Sequence, residues 1–153
     1  MKSDSRERAR KHLDDRLFHL KPEDQFAAPP KGWIRAIRDA LGMSGVQLAT
    51  RLGVRPQTVD AIEKSEAGGT IQLKTLQRAA EALDCTLVYA LVPRTSLKDM
   101  VQSRARSLAL RDLDRVGHTM KLEAQEVAAA NVEMRIEDYI RNVLRDRDLW
   151  NEP

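Results

Sequence analysis

The 153 residues are enough for one compact domain with extensions or for two small domains. The composition, with 32% charged residues, 4% aromatics and seven glycines, favours a mainly α-helical protein over a β-sandwich or barrel. A net charge of +3 does not by itself indicate nucleic acid as a partner. Its distribution indicates two kinds of partner, since residues 1–21 hold seven Lys and Arg against four Asp and Glu, while residues 122–153 hold four against eight.

The N-terminal segment predicts one amphipathic helix followed by a linker. Apolar residues recur there at helical spacing and form a narrow stripe, which has to pack on another part of the chain or on a second subunit. They are Ala9, Leu13, Leu17 and Leu20. The Pro-rich stretch KPEDQFAAPPKG follows. We assign residues 1–31 to this helix and linker, and we expect no secretory signal because an apolar core is missing.

Residues 32–94 predict several short helices and one strand. The helical stretches WIRAIRDAL, GVQLATRL, PQTVDAIEK and IQLKTLQRAAEAL are separated by turn residues, and Ser44 is placed to cap the second of them. In that second helix we expect an inward face of Val46, Leu48, Ala49 and Leu52. The stretch TLVYALVP, residues 86–93, is β-branched and aromatic and predicts a short strand.

The chain predicts no membrane segment, no disulfide and no catalytic site. The longest apolar run, Leu87 to Val92, is far too short to cross a bilayer, and Cys85 is the only cysteine. The three histidines are scattered, no metal-ligand spacing occurs, and EAGGT lacks the Lys-Ser/Thr of a phosphate loop. We therefore expect a cytoplasmic protein that is not an enzyme and holds neither metal nor cofactor.

Two of the short helices have the spacing of a helix-turn-helix. Ala49 is small where the helices cross, and Gly53 tolerates the positive φ that the turn requires. The side chains left exposed on the second helix have donors and acceptors suited to base edges and phosphates in a major groove. They are Arg55, Gln57, Thr58, Asp60, Ala61 and Lys64.

Residues 32–84 resemble the Xre/Cro-type helix-turn-helix domain, through QLATRLGV, TVDAIE and LKTLQRAAEAL. The resemblance implies that Gln57 faces bases, with Arg55, Asp60 and Ala61 as its neighbours. It also implies that Ser44 and Thr58 touch phosphates and that Glu63 braces the fold. Pro56 replaces the usual polar residue, which leaves fewer contacts for specificity. Members of this family bind inverted repeats in double-stranded operator DNA as homodimers.

The C-terminal region, residues 95–153, predicts two further helices and contains GHTMKLEAQE. Thr119 and Glu123 are four residues apart, so they share one helix face, where the carboxylate can pair with an Arg meant for a nucleotide phosphate. Chance supplies roughly one such pair in a chain like this. Ser3 and Glu7 form a second pair, which is the poorer candidate because it lies beside the terminus.

The C-terminal region resembles small antitoxins that inhibit Fic-domain adenylyltransferases. These antitoxins carry the pattern Ser/Thr-x-x-x-Glu-Gly/Asn in a helix, and the matching layout here is RARSLALRDLDRVGHTMKLEAQEV followed by VEMRIEDYIRNVL. The whole chain is similar to the mobile mystery protein A group, whose genes lie beside a Fic-domain partner, through GWIRAIRDALGMS, LDCTLVYALVP and HTMKLE. The resemblance implies that Glu123 occupies the space of the ATP γ-phosphate and that Thr119 anchors the helix. Ala124 departs from the usual Gly or Asn, so the helix approaches its partner less closely.

The sequence thus predicts a mainly α protein with three parts. A helix-turn-helix bundle with one short strand, residues 32–94, is flanked by the N-terminal helix and by a helical toxin-binding and inhibitory region, residues 95–153. The predicted function is that of an antitoxin that blocks AMP transfer by a Fic-type toxin and represses its own operon. The alternative is a plain Xre-type regulator whose C-terminal helices only mediate dimerisation.

Overall fold

The computed structural model describes residues 2–120 and 129–151, and within them it is helical. The described residues form seven α-helices, in chain order: α1 Lys2–Phe18, α2 Trp33–Ala40, α3 Gly45–Leu52, α4 Pro56–Ala67, α5 Leu73–Ala82, α6 Leu97–Met120 and α7 Ala129–Asn142. They also form two 3₁₀ turns, at Glu23–Phe26 and Asp146–Asp148. Among these helices, none combines the length and apolar character that a bilayer crossing requires.

The chain divides into two compact units, one of residues Pro22–Leu91 and one of Met1–Lys21 with Val92–Pro153. The first unit contains α2 to α5, which surround a single apolar core. The buried residues of that core are Ile34, Leu48, Ala49, Val59, Ala79 and Leu83. Every helix of this unit contributes to it, because each carries apolar residues at three- and four-residue spacing.

Part of the predicted inward face of α3 is wrong. Leu48 and Ala49 are buried, but Val46 is 60% exposed. It is the second residue of a helix of eight, and the side chains of that helix that reach the core are Leu48, Ala49 and, in part, Leu52. The apolar side chain of Val46 therefore did not indicate a buried position.

The predicted strand at residues 86–93 is also wrong for the described chain. The backbone is irregular or extended there, and no strand occurs in residues 2–120 or 129–151. The physical reason is that a strand is defined by hydrogen bonds to a neighbouring strand, and the described residues offer none. The β-propensity of the segment was recognised correctly, but a pairing partner is missing from the chain itself.

In the second unit, α1 packs on α6 through the start of the longer helix. The carboxylate of Asp14 accepts hydrogen bonds from the backbone N–H of Leu97, at 2.7 Å, and of Lys98, at 3.1 Å. These N–H groups lie in the first turn of α6, where no intrahelical partner exists, and the negative charge also suits the positive end of the helix dipole. Asp14 therefore fixes the N-terminal helix to α6.

The other end of this unit joins α6 to α7 and the C-terminal turn. Ala105 and Leu108 of α6 are buried against Leu149. Arg104 donates from Nε to the carbonyl oxygen of Leu149 at 2.8 Å, which fixes the chain after α7 onto α6.

Candidate nucleic-acid interface

The first helix of the helix-turn-helix, α3, begins with a reciprocal cap. The hydroxyl oxygen of Ser44 accepts from the backbone N–H of Gln47 at 3.2 Å, and the Gln47 side chain accepts from the backbone N–H of Ser44 at 2.8 Å. The cap predicted at Ser44 is confirmed. Because the Ser44 oxygen acts as acceptor in this cap, its own proton stays available to donate to an anionic oxygen.

The turn between α3 and α4 has the backbone geometry that its glycine permits. Gly53 has φ of 67° and ends α3 in the left-handed conformation, and the N–H of Val54 donates to the carbonyl oxygen of Ala49 at 3.0 Å. Ala49 is 2% exposed in the core that α3 and α4 share. The small residue and the glycine lie where the sequence predicted them.

The second helix, α4, is held from behind by a buried ion pair. Glu63 is 5% exposed, and Arg38 of α2 donates to its carboxylate through Nε at 2.6 Å and through a second guanidinium nitrogen at 3.2 Å. Arg38 also donates to the carbonyl oxygen of Met43 at 2.8 Å. The hydrogen bond to Glu63 raises the pKa of the Arg38 guanidinium above its ordinary value. The bracing role predicted for Glu63 is confirmed.

A second carboxylate of α4 caps α2. Glu66 accepts from the backbone N–H of Trp33 at 2.8 Å and of Ile34 at 2.9 Å. Gly32 precedes them with φ of 84°, and a Cβ built there would lie 2.7 Å from the Glu66 carboxylate oxygen. The sequence analysis missed this contact, because the two partners are more than 30 positions apart and neither belongs to a local capping motif.

The outer face of α4 brings the predicted reading residues together. Arg55, Gln57, Thr58, Asp60, Ala61 and Lys64 are all exposed. Val59 and Glu63, on the opposite face, are buried. Within the described part of the chain, Gln57 makes no side-chain hydrogen bond, so its amide is available to a ligand. Whether these residues contact DNA stays a prediction.

One pair on this outer face is already engaged. Lys64 Nζ lies 2.7 Å from a carboxylate oxygen of Asp60, four residues earlier on the helix, and both side chains are mostly exposed. Exposed pairs of this kind are weak, so a phosphate can compete for the lysine. Asp60 therefore orients Lys64 without holding it strongly.

The pair predicted to inhibit a toxin cannot be located in the same detail. Thr119 lies in the last turn of α6, whereas Glu123 and Ala124 fall outside the described residues. In the alternative pair, Glu7 is exposed on α1. Both inhibitory assignments stay predictions.

A capped short helix, a glycine turn and a braced second helix with a polar outer face are the parts of a helix-turn-helix DNA-binding domain. The helix-turn-helix family model matches residues 34–89, from α2 into the extended segment after α5. The match covers 56 of the 153 residues, and a domain of this type suggests a DNA-binding regulator. No curated protein and no solved structure gives a significant match to the chain.

Proposed function

We propose that the protein is a cytoplasmic repressor that lays α4 in the major groove of operator DNA and controls its own operon. The observation that carries this proposal is the contrast between the two faces of α4. Its inner face is fixed by the Arg38–Glu63 ion pair, and its outer face presents five exposed side chains, with the exposed N-cap residue Arg55 beside them. A rigid helix whose exposed donors and acceptors are free, or only weakly paired as Asp60 and Lys64 are, is what base reading requires.

The side chains on the outer face of α4 suit different parts of the DNA, either base edges or phosphates. The Gln57 amide can donate and accept at once, which suits the N7 and N6 edge of an adenine. Arg55, at the start of α4, suits a guanine or a phosphate, and Asp60 can accept from the amino group of a cytosine. The hydroxyls of Ser44 and Thr58 lie near the starts of α3 and α4, where donors to phosphate are ordinarily placed.

A protection footprint on the DNA upstream of the gene tests this proposal. We expect two protected half-sites about one helical turn apart, because a homodimer places two recognition helices in successive major grooves. The variant Gln57→Ala should lose protection at concentrations where the wild-type protein protects fully. A wild-type protein that shows the same affinity for this DNA and for random duplex would contradict operator reading.

We further propose that the C-terminal region inhibits a Fic-domain adenylyltransferase. The support is the resemblance of GHTMKLEAQE and its flanking helices to the inhibitory helix of small antitoxins, together with the helical conformation of the chain through Thr119. In this proposal Glu123 pairs with an Arg of the partner and takes the position of the ATP γ-phosphate. AMP transfer then fails because ATP binds in an unproductive pose.

Co-expression with the adjacent gene tests the second proposal independently of the first. If that gene encodes a Fic-domain protein, the two chains should co-purify, and the isolated partner should transfer AMP only when this protein is absent. A partner that is equally active with and without this protein would leave the simpler alternative, a regulator whose C-terminal helices serve only dimerisation.

A further inference from the structure

The extended stretch that follows α5, residues 86–91, has no partner for its backbone. Within the described chain, none of its amide or carbonyl groups takes part in a hydrogen bond. Except for the half-buried Leu87, its side chains are exposed as well: Val88 is 80%, Tyr89 is 72% and Leu91 is 89% exposed. A non-helical segment whose backbone donors and acceptors are unpaired is a template for pairing with another strand.

The same stretch is uncharged and lies beside an apolar groove. No charged residue occurs from Cys85 to Pro93, so the lysines that ordinarily protect an exposed edge are absent from this segment. The groove has a volume of about 460 Å³, and its walls include Trp33, Leu76 and Val88. Trp33 is 45% exposed, so the apolar surface continues from the groove to the extended stretch.

We propose that residues 86–91 pair in antiparallel fashion with the same residues of a second copy of the chain. A two-fold axis makes such a contact self-complementary, since both copies present the same surface. With the axis between Val88 and Tyr89, all six residues are paired, and Val88 of each copy lies opposite Tyr89 of the other. Aromatic and β-branched side chains stabilise antiparallel strands when they face each other in this way.

A second copy fits this surface better than an unrelated charged chain. Two uncharged segments meet without repulsion, whereas an acidic or basic strand would bring charges into an apolar contact that offers no counter-charge. The contact also satisfies the backbone groups of both copies at once. It further supplies the two-fold symmetry with which a helix-turn-helix protein occupies two half-sites.

The size of the contact predicts a dimer that dissociates on dilution. Covering the exposed parts of Val88, Tyr89 and Leu91 in both copies removes roughly 900 Å² from water. Stable interfaces bury about 1,200 to 2,000 Å² in total, so the groove and Trp33 have to contribute as well. We expect micromolar association of the free protein and stronger association when adjacent half-sites hold two copies together.

Sedimentation equilibrium of the full chain and its Tyr89→Lys variant tests the pairing. Because Tyr89 is mostly exposed in a single copy, lysine there leaves the fold of that copy intact while placing a charge inside the paired ribbon. We expect the dissociation constant of the dimer to rise at least tenfold. Leu41→Lys is the matched control, since Leu41 is 58% exposed in the same unit but lies outside the stretch and the groove.

Amide hydrogen exchange supplies a second readout that reports the backbone directly. Protection of residues 86–91 should appear as the wild-type concentration rises and should be missing from Tyr89→Lys. Three sedimentation results would contradict the pairing: a wild-type chain that stays monomeric, a Tyr89→Lys variant that dimerises like wild type, or equal dissociation of both lysine variants. In the exchange experiment, a dimer without protection of residues 86–91 would contradict it as well. The proposal rests on the homodimer expected above, and the operator footprint, which a monomer can also give, tests DNA reading separately.

Discussion

Arg38 and Glu63 form a bidentate ion pair that ties α2 to the back of α4, with the shorter nitrogen–oxygen distance at 2.6 Å. Both side chains are largely withdrawn from water, at 12% and 6% exposure. An ion pair in this position contributes little net stability by its formation, because both charges lose their hydration. What it does determine is the orientation of α4, since Glu63 is the buried carboxylate that faces Arg38, and the other acid beside Arg38, Asp39, is mostly exposed.

Glu63→Ala should therefore destabilise the helix-turn-helix unit by about 3–5 kcal/mol, because it leaves the Arg38 guanidinium buried without its carboxylate. Urea unfolding followed by circular dichroism measures the loss. Asp60→Ala is the control, since it removes the carboxylate of an exposed pair on the same helix and should cost less than about 1 kcal/mol. Equal losses in the two variants would show that burial of the Arg38–Glu63 pair has no energetic consequence.

Gly32→Ala should destabilise the same unit by about 1–3 kcal/mol. Its backbone is in the left-handed region, and the added methyl group would displace the Glu66 carboxylate that caps α2. Gly45→Ala is the opposite case, because nothing lies within 4 Å of the added carbon and the residue is the first of α3. There we expect a gain of up to about 1 kcal/mol from the helix propensity of alanine. Thermal melts of the two variants should shift in opposite directions.

Local patterns in the sequence predicted the local parts of the fold. The cap at Ser44 and the glycine turn at Gly53 depend on neighbouring residues alone, so the sequence analysis could find them. The contact between Glu66 and the start of α2 depends on how two distant helices pack, and no short motif encodes it. The strand prediction failed for a related reason: propensity is a property of the segment, whereas pairing needs a second strand.

Gln57→Ala should weaken binding to the specific operator by about 1–3 kcal/mol, roughly 5- to 150-fold, and leave binding to random duplex nearly unchanged.

Lys64→Ala should instead weaken binding to both DNAs by a similar factor. It should also reduce the slope of log K against log salt by about 1, as expected for one lost phosphate contact. Fluorescence anisotropy titrations at several salt concentrations separate the two effects. A Gln57 variant that weakens both DNAs alike would exclude its role in reading bases.

Tyr139→Phe should loosen α7 from α6, because the Tyr139 hydroxyl donates a hydrogen bond to the Asp112 carboxylate. This bond raises the pKa of Tyr139 above its ordinary value. In the unfolded chain, a tyrosine has a pKa of about 10. Because the folded state raises the pKa of Tyr139, its hydrogen bond stabilises the fold fully below that pH, and this stabilisation is lost as the pH rises through the folded-state pKa. We expect a loss of about 1–2 kcal/mol at neutral pH.

The difference in unfolding free energy between wild type and Tyr139→Phe should accordingly shrink above pH of about 10. Tyr89→Phe is the control, since the chain has two tyrosines and the other one is 72% exposed. At dilutions where the chain is monomeric, it should leave stability unchanged at both pH values. A difference for Tyr139→Phe that stays constant with pH would contradict the role assigned to its hydroxyl.

Glu123→Gly should separate the two proposed activities. If the Glu123 carboxylate takes the position of the ATP γ-phosphate, its removal lets ATP bind productively, and the co-expressed Fic-domain partner should regain AMP transfer. Operator binding should stay at the wild-type level, because the reading face of α4 belongs to the other unit of the chain. AMP transfer is measured with labelled ATP and DNA binding by anisotropy on the same preparation.

Glu126→Gly is the matched control for this last variant, since it removes an acid and adds the same helix-weakening glycine three residues further along. It should keep the partner silent, because on a helix Glu126 lies two turns from Thr119 instead of one, about 5 Å beyond the position proposed for the blocking carboxylate. Release by both variants would mean that helix stability in this segment, and not the Glu123 carboxylate, is what inhibition requires. Release by neither would remove Glu123 from the inhibitory mechanism and leave the C-terminal helices with a role in assembly alone.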